Sequence, residues 1–200
     1  AMVRTSVGVC DVSTLGKIDI QGPDAGKLLD LVYTNRFSTL KERRVRYGLM
    51  LREDGFVMDD GTTARLGPEH YVMTTTTAAA GDVMRHLEFV HQCLHPNWDI
   101  NLMSVTEHWA QFAVAGPDAK VLIDGLLDAP LDTKSWPFMS CGAVKVMGVE
   151  ARLFRISFSG ELGYELALPA RYGDSLFRIL LARAEEMGGG AYGMEALNVL

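Results

Sequence analysis

The sequence has few cysteines and no long apolar run. Its three cysteines, Cys10, Cys93 and Cys141, lie far apart, and an odd number without paired spacing favours a reducing compartment over a disulfide framework. No stretch approaches the ~18–20 apolar residues of a membrane helix, and the N-terminus lacks the layout of a signal peptide. We therefore expect a cytoplasmic protein without a membrane partner.

An excess of basic residues is also lacking, which argues against nucleic acid as the main partner. The formal net charge is -6 and the sequence pI is near 5.3, whereas a protein that binds phosphate backbones normally carries a basic stripe. The one basic run, Lys41–Arg46, is interrupted by Val45 and leads into apolar residues 47–51. This pattern indicates a turn before a strand.

Two patterns resemble metal or cofactor sites but lack the context that such sites need. Residues 188–193 read GGGAYG, yet a dinucleotide fingerprint requires a preceding strand and a helix precedes here. His91, Cys93 and His95 have ligand-like spacing, but no fourth ligand is nearby and Pro96 ends the segment. We expect no metal site in this region.

An internal repeat organises the chain. Gly22-Pro23-Asp24-Ala25 recurs as Gly116-Pro117-Asp118-Ala119, which is 94 positions further on (116 − 22). Tyr71 and Tyr164 form a second pair at 93 positions (164 − 71). Chance recurrence of a good helix start is the alternative for the first pair, and the second pair argues against it.

Each half has the same order of elements. Ile18 and Ile20 alternate with polar residues before the Gly-Pro helix start, where proline suits the first helical position. In the helix that follows, we expect Leu28, Leu29, Leu31 and Val32 to supply the apolar face. The remaining elements of the first half are expected as strands at Tyr47–Leu51, Thr62–Leu66, Tyr71–Thr75 and Asp99–Val105, with a helix at Ala78–His91. Those of the second half are expected as strands at Ala143–Met147, Ala151–Ser157 and Gly163–Leu168, with a helix at Ser175–Met187. The pattern predicts an α+β fold of two related ferredoxin-like split β-α-β halves with antiparallel sheets, at residues 1–105 and 106–200.

Adjacent acids interrupt an apolar strand after a hairpin turn. Asp54-Gly55 is a strong turn signal, and Asp59 and Asp60 follow the apolar residues 56–58. Neighbouring strand residues point to opposite faces, so at least one acid should face inward. Burial of a carboxylate is commonly tolerated where a charge or general base is needed. A solvated acidic edge is the alternative.

Two polar segments are further candidates for binding. Glu165 lies between Tyr164 and Leu166 in a strand, and its carboxylate could accept two hydrogen bonds from an amidine-like edge such as that of a pterin. Its alternative is a place on the solvent face. Thr74–Thr77 suits a strand end whose hydroxyls bind a ligand or cap the next helix.

The ends of the sequence predict a piece of a longer polypeptide. A new apolar helical run begins near Gly193 and stops at Leu200 without a cap or polar tail. We expect the C-terminal part of the fold to be absent, and the isolated piece to be inactive.

Several segments together resemble the aminomethyltransferase family, the folate-binding T-protein of glycine cleavage and its relatives, along essentially the whole chain. They are GVCDVS at 8–13, the strand around Tyr47, Asp59-Asp60, GELGYEL at 160–166 and YGMEALNVL at 192–200. The opening residues 7–25 and the segments WAQFAVAGP (109–117) and WPFMS (136–140) more closely resemble one branch, the α subunit of heterotetrameric sarcosine oxidase.

The resemblance implies specific roles for individual residues. It puts Asp60 near N10 of tetrahydrofolate as the catalytic carboxylate, with Asp59 as a weaker candidate. The pterin-gripping glutamate falls on Glu165. The remaining implied folate-binding positions are Tyr47, Phe158, Leu15 and Thr75. Phe158 stands where the T-protein has a tyrosine, so a hydroxyl contact is lost. Glu195 stands where the T-protein has an arginine that would suit the glutamate tail of folate, so this route for binding the tail is altered.

The function implied is capture of a one-carbon unit. The whole protein would oxidise sarcosine, with FAD, FMN and NAD bound elsewhere in a complex with other subunits. This segment would bind tetrahydrofolate and form 5,10-methylenetetrahydrofolate. The alternatives are a glycine-cleavage aminomethyltransferase and a non-catalytic folate-binding or assembly module.

Overall fold

The computed structural model describes residues 2–197, 199 and 200, and it divides into two units. The continuous unit is Thr14–Thr106, and the two-segment unit combines Ala1–Ser13 with Glu107–Leu200. The predicted boundary between residues 105 and 106 lies beside the observed one. The difference is the N-terminal segment through Ser13, which belongs with the second half because its strand pairs there.

The elements in chain order comprise helices α1–α6, strands β1–β11 and three short turns of other helix types. They are α1 Met2–Thr5, β1 Gly8–Asp11, β2 Gly16–Gln21, α2 Ala25–Val32, β3 Arg44–Leu51, β4 Val57–Gly67, β5 His70–Thr75, α3 Ala80–Phe89, a π-helix Val90–Leu94, β6 Asn101–Ser104, a 3₁₀ helix Thr106–His108, β7 Trp109–Ala115, α4 Ala119–Asp124, β8 Ser140–Val146, β9 Val149–Arg155, β10 Gly163–Pro169, a 3₁₀ helix Ala170–Tyr172, α5 Gly173–Glu186, β11 Gly190–Ala191 and α6 Met194–Leu197. Among the described residues, no helix has the length and apolar character to cross a membrane.

The continuous unit is an antiparallel sheet in the order β3-β4-β5-β2-β6, with α2 and α3 packed on one face. Four of its strands, β4-β5-β2-β6, with the two helices form the expected ferredoxin-like split β-α-β pattern, and β3 extends the sheet. Ile18 and Ile20 of β2 pack against Leu28 and Leu29 of α2 in the core. The prediction that Leu31 shares this apolar face is wrong, because its side chain is 51% exposed.

The two-segment unit repeats this arrangement with strands that are distant in sequence. Its antiparallel strands run β8-β9-β10-β7-β1, and β11 pairs with β1 in parallel. The strand β1 takes the position that β6 has in the continuous unit, since Val9 pairs with Val114 of β7. Val9, Val114 and Leu180 of α5 are fully buried in the core of this unit.

The internal repeat is confirmed at the level of backbone geometry and strand register. Gly22 and Gly116 have φ of 131° and 135°, which glycine adopts without steric cost. A Cβ would lie 2.2 Å from the Asp99 carbonyl oxygen in the first and 2.3 Å from the Ser6 carbonyl oxygen in the second. The second pair also keeps its register, because Tyr71 opposes Ile20 and Tyr164 opposes Val114, and these two partners are 94 positions apart (114 − 20).

The strand that carries the adjacent acids is longer than expected. The sequence predicts an interruption at Asp59-Asp60, yet β4 runs from Val57 to Gly67 through both residues. Pairing with β3 continues on both acids, Met50 with Asp59 and Leu49 with Asp60. The strand therefore presents its two carboxylates to opposite faces of the sheet.

Candidate functional site

Tyr47 and Asp60 form a hydrogen-bonded pair on one face of the β3–β4 hairpin. Tyr47 lies opposite Thr62, so Asp60 is its diagonal neighbour on the same face. The Tyr47 hydroxyl donates to Asp60 Oδ2 at 2.6 Å, and Tyr47 remains 49% exposed. This bond raises the pKa of the Tyr47 phenol, because loss of its proton would remove the bond and set two negative charges side by side. The pair thus provides an accessible carboxylate, that of Asp60, whose orientation is fixed by Tyr47.

Asp59 points to the opposite face and is 7% exposed. The expectation that at least one of the two acids faces inward is thus confirmed. Thr76 donates twice to this carboxylate, from Oγ1 to Oδ1 at 2.7 Å and from its backbone N–H to Oδ2 at 3.1 Å. Both oxygens of Asp59 have protein partners, whereas Asp60 lies on the accessible face.

Thr75 and Leu15 lie where β5 meets β2. Thr75 is buried, pairs with Gly16 across the strands and donates to the Thr76 carbonyl oxygen at 2.9 Å. A Cβ on Gly16 would meet Thr75 Oγ1 at 2.1 Å, so the two residues pack closely. Leu15 is half-buried, and its carbonyl oxygen accepts a bond from Lys17 Nζ at 3.0 Å. Five of the predicted site residues (Leu15, Tyr47, Asp59, Asp60 and Thr75) thus belong to the continuous unit.

Glu165 and Phe158 belong to the two-segment unit. Glu165 is half-buried on β10 and faces away from the core that its neighbours Tyr164 and Leu166 enter. Its Oε2 accepts a hydrogen bond from the side-chain amide of Gln111. Burial raises the pKa of the Cys10 thiol, and the negative charges of Asp11 and Glu165 raise it further. Glu165 itself is half-buried, and its carboxylate is held by the hydrogen bond from Gln111.

Phe158 is 80% exposed in the loop between β9 and β10. The loop turns at Gly160, which has φ of 80°. Arg4 Nη1 donates to the Ser159 carbonyl oxygen and to Glu161 Oε1, both at 2.9 Å. These bonds hold the turn on either side of Gly160 and leave the aromatic ring accessible.

Gln111 was not predicted from the sequence as a partner of Glu165, although the repeat contains a signal for it. Gln111 lies 94 positions after Lys17 (111 − 17), and each is only 2% exposed. A polar residue at the same strand position in both halves could have been recognised as a partner for a neighbouring charge. Glu195, in α6, is exposed.

The His91–His95 segment follows helix α3 and makes local contacts. His91 Nε2 lies 3.0 Å from the Trp98 carbonyl oxygen, and the His95 ring stacks on the Trp98 ring at 3.8 Å. Across residues 2–197, 199 and 200, no three His, Cys, Asp or Glu side chains converge on a metal-sized site.

Comparison with known proteins places these residues in a family context. The model of the GCVT N-terminal domain matches residues 1–200. Sarcosine oxidase subunit alpha of Rhizobium meliloti (strain 1021) is 50% identical over 200 residues, which cover 99% of this chain and 20% of that protein. The aminomethyltransferase of Thermus thermophilus is 35% identical over 190 residues, 94% of this chain and 53% of that protein. The chain thus spans about a fifth of the first relative and about half of the second.

A solved structure supports the fold class. The glycine cleavage aminomethyltransferase T of Bartonella henselae superposes with a TM-score of 0.85 at 22% identity, covering 99% of this chain and 51% of that one. At this identity the likeness concerns the fold alone. The expected α+β fold with aminomethyltransferase-like topology is confirmed.

Proposed function

Because this chain belongs to the family of GCVT N-terminal domains, we propose that it is the tetrahydrofolate-binding part of a cytoplasmic sarcosine oxidase α subunit. In this function it captures the one-carbon unit released by oxidative demethylation of sarcosine as 5,10-methylenetetrahydrofolate, within a complex of several subunits. The 50% identity to a sarcosine oxidase subunit alpha over 99% of the chain supports this choice within the family. FAD, FMN and NAD are expected to bind elsewhere in that complex.

The observation that carries the proposal is the hydrogen bond between Tyr47 and Asp60 on an accessible face. It provides a carboxylate that is oriented but open to a ligand, as a general base requires.

In each unit, taken by itself, there are side chains that suit part of a folate. The pterin edge offers N3–H and a 2-amino group, which suit the carboxylate of Glu165, a half-buried acceptor already oriented by Gln111. Tyr47 and Phe158 are exposed aromatic rings of the kind that pack on flat heterocycles.

In this proposal Asp60 is the general base, or the electrostatic partner, of the reacting folate nitrogen. Tetrahydrofolate, when bound, supplies the nitrogen nucleophile that takes up the one-carbon unit. Asp60 accepts the proton that this nitrogen loses, or stabilises the positive charge that precedes the loss. Tyr47 donates to one carboxylate oxygen and leaves the other for the ligand. General base catalysis of this kind contributes roughly 10²–10⁴-fold.

A glycine-cleavage aminomethyltransferase is a second candidate, favoured by the 35% identity to the Thermus thermophilus enzyme. That reaction uses the same folate chemistry but takes its one-carbon unit from a lipoyl carrier. Glu195, which replaces an arginine of the T-protein, counts against it. A non-catalytic folate-binding module is the third candidate.

Replacement of Asp60 by Asn in the complete protein tests the proposal. We expect the yield of methylenetetrahydrofolate per sarcosine oxidised to fall about 10²–10⁴-fold, while sarcosine oxidation continues and the uncaptured carbon leaves as formaldehyde. Asp54→Asn is the matched control, since Asp54 lies on the same β3–β4 hairpin and bonds to Arg52. An unchanged yield in Asp60→Asn would contradict the catalytic role. Folate binding without capture in the parent protein would instead identify a non-catalytic module.

A further inference from the structure

Side chains connect the end of β4 that carries Asp60 to the last residues of β5 and to the residue that follows them. Backbone pairing between β4 and β5 runs from Gly67 opposite His70 to Thr63 opposite Met73. Past that point the Thr62 backbone N–H donates to Thr74 Oγ1 at 3.1 Å, and Thr74 Oγ1 donates to the Thr62 carbonyl oxygen at 2.9 Å. A threonine hydroxyl thus takes the place of the next ladder bonds.

Asp59 adds the outermost of these connections. Its carboxylate accepts the hydroxyl and the backbone N–H of Thr76 while it is 7% exposed. Thr76 lies directly after the last residue of β5, so the bonds join the two strands beyond their ladder. A buried carboxylate without partners is strongly unfavourable. The position of Asp59 therefore requires the two hydrogen-bond donors that Thr76 supplies.

Two identical acids side by side create an ambiguity for the strand. Successive side chains alternate between the faces of a sheet, and a slip of one residue exchanges the faces. A slip in one direction would put Asp60 in the place of Asp59 and Gly61 in the place of Asp60. A slip in the other direction would put Met58 and Asp59 in those two places. On the β3 side the ladder continues through both acids, and its register changes just beyond them, between Met50 and Leu51. On the β5 side the ladder has already ended at Thr63, so there the bonds to Thr76 hold the acids.

We infer that Asp59 is a positioning residue, whose bonds to Thr76 fix the register of β4 so that Asp60 faces Tyr47. The inference rests on the proposed function for the importance of Asp60, but the geometry itself concerns the continuous unit alone. The two acids then have separate roles: Asp59 engages the protein and Asp60 engages the ligand.

Thr76→Val is the test variant, because it removes the hydroxyl that bonds Asp59 and keeps the size and branching of the side chain. Thr77→Val is the matched control on the same segment, since the Thr77 hydroxyl bonds Thr14 Oγ1 instead. Thr76→Ser restores a hydroxyl, and Asp59→Asn tests the other partner. Near-ultraviolet circular dichroism shows which variants keep native packing.

The readout is the ultraviolet titration of the Tyr47 phenol, taken as the difference between each variant and the same variant with Tyr47→Phe. In the parent chain Asp60 raises this pKa. We expect the pKa to fall toward the ordinary tyrosine value of about 10 in Thr76→Val and Asp59→Asn, and to stay raised in Thr77→Val and Thr76→Ser. One-carbon capture should fall about 10²-fold in the first two variants, as for a misplaced catalytic group.

An unchanged Tyr47 titration in folded Thr76→Val and Asp59→Asn would overturn the inference. A chain that keeps the expected titration differences but neither binds tetrahydrofolate nor captures carbon would overturn the proposed function and leave the positioning role intact. If Thr76→Val fails to fold, Asp59→Asn and the serine variant decide the question by the same titration.

Discussion

Gly61 offers a sharp test of how closely the site depends on the approach of β4 to β5. It directly follows Asp60, and a Cβ at this position would lie 2.1 Å from the Thr74 carbonyl oxygen and 3.0 Å from its carbon. In Gly61→Ala the two strands must therefore separate by at least about 1.3 Å (3.4 − 2.1) to reach an ordinary contact. Gly67, on the same strand, is the matched control, because its Cβ would meet only His70 Cβ at 3.7 Å.

The difference between the two alanine variants isolates the cost of the clash. Either substitution stabilises the fold by about 0.4–1 kcal/mol through the unfolded chain, and Gly61→Ala also incurs about 1–3 kcal/mol of overpacking. We expect Gly67→Ala to match or exceed the parent in its free energy of unfolding, and Gly61→Ala to lie about 1–3 kcal/mol below Gly67→Ala.

Urea unfolding of the two variants measures this difference, and one-carbon capture measures its effect on Asp60. A displacement near 1 Å of a catalytic group lowers rates by about 10²-fold, so capture should fall by about that factor in Gly61→Ala alone. Equal unfolding free energies for the two variants would refute the close approach of the strands. Normal capture in a destabilised Gly61→Ala would refute the dependence of Asp60 on it.

Two further predictions concern stability. Burial raises the pKa of the Tyr33 and Tyr192 phenols. Their contribution to the free energy of unfolding is therefore complete below the ordinary tyrosine pKa near 10 and is lost as pH rises above it. The free energy of unfolding should fall by up to about 1.4 kcal/mol per pH unit for each phenol. Urea unfolding above pH 10 should show a shallower decline in Tyr192→Phe, and an identical decline would contradict the assignment. Gly81→Ala in α3, whose Cβ would meet no atom within 4 Å, should raise the free energy of unfolding by about 0.4–1 kcal/mol; a lower midpoint would count against the open space around it.

Local signals predicted much of the fold. Gly22 and Gly116 mark the two helix starts because a positive φ beside a close backbone contact leaves glycine as the suitable residue. Tyr71 and Tyr164 were recognisable as equivalent because each is the second residue of a short strand. Both features depend on residues near each other in sequence.

Features that depend on pairing across the chain were not predictable in the same way. The place of β1 against β7 joins residues about a hundred positions apart, and its composition does not identify the partner. The bonds from Thr76 to Asp59 accompany a register of β4 that the sequence left open. The alternation of faces correctly predicted an inward acid, but its partner could be identified only from the assembled sheet.

The two units differ in when they can be completed during synthesis. Thr14–Thr106 is continuous, so all of its strands have left the ribosome once this stretch has emerged. The strand at Gly8–Asp11 emerges before this stretch but pairs with Trp109–Ala115 and with Gly190–Ala191. At about 5–20 residues per second, it waits on the order of seconds for its antiparallel partner and longer for its parallel one. During this interval the nascent chain contains a complete continuous unit, while the apolar strand that precedes it still lacks its partners. A chaperone that binds short extended segments would have its best access to that strand in the same interval.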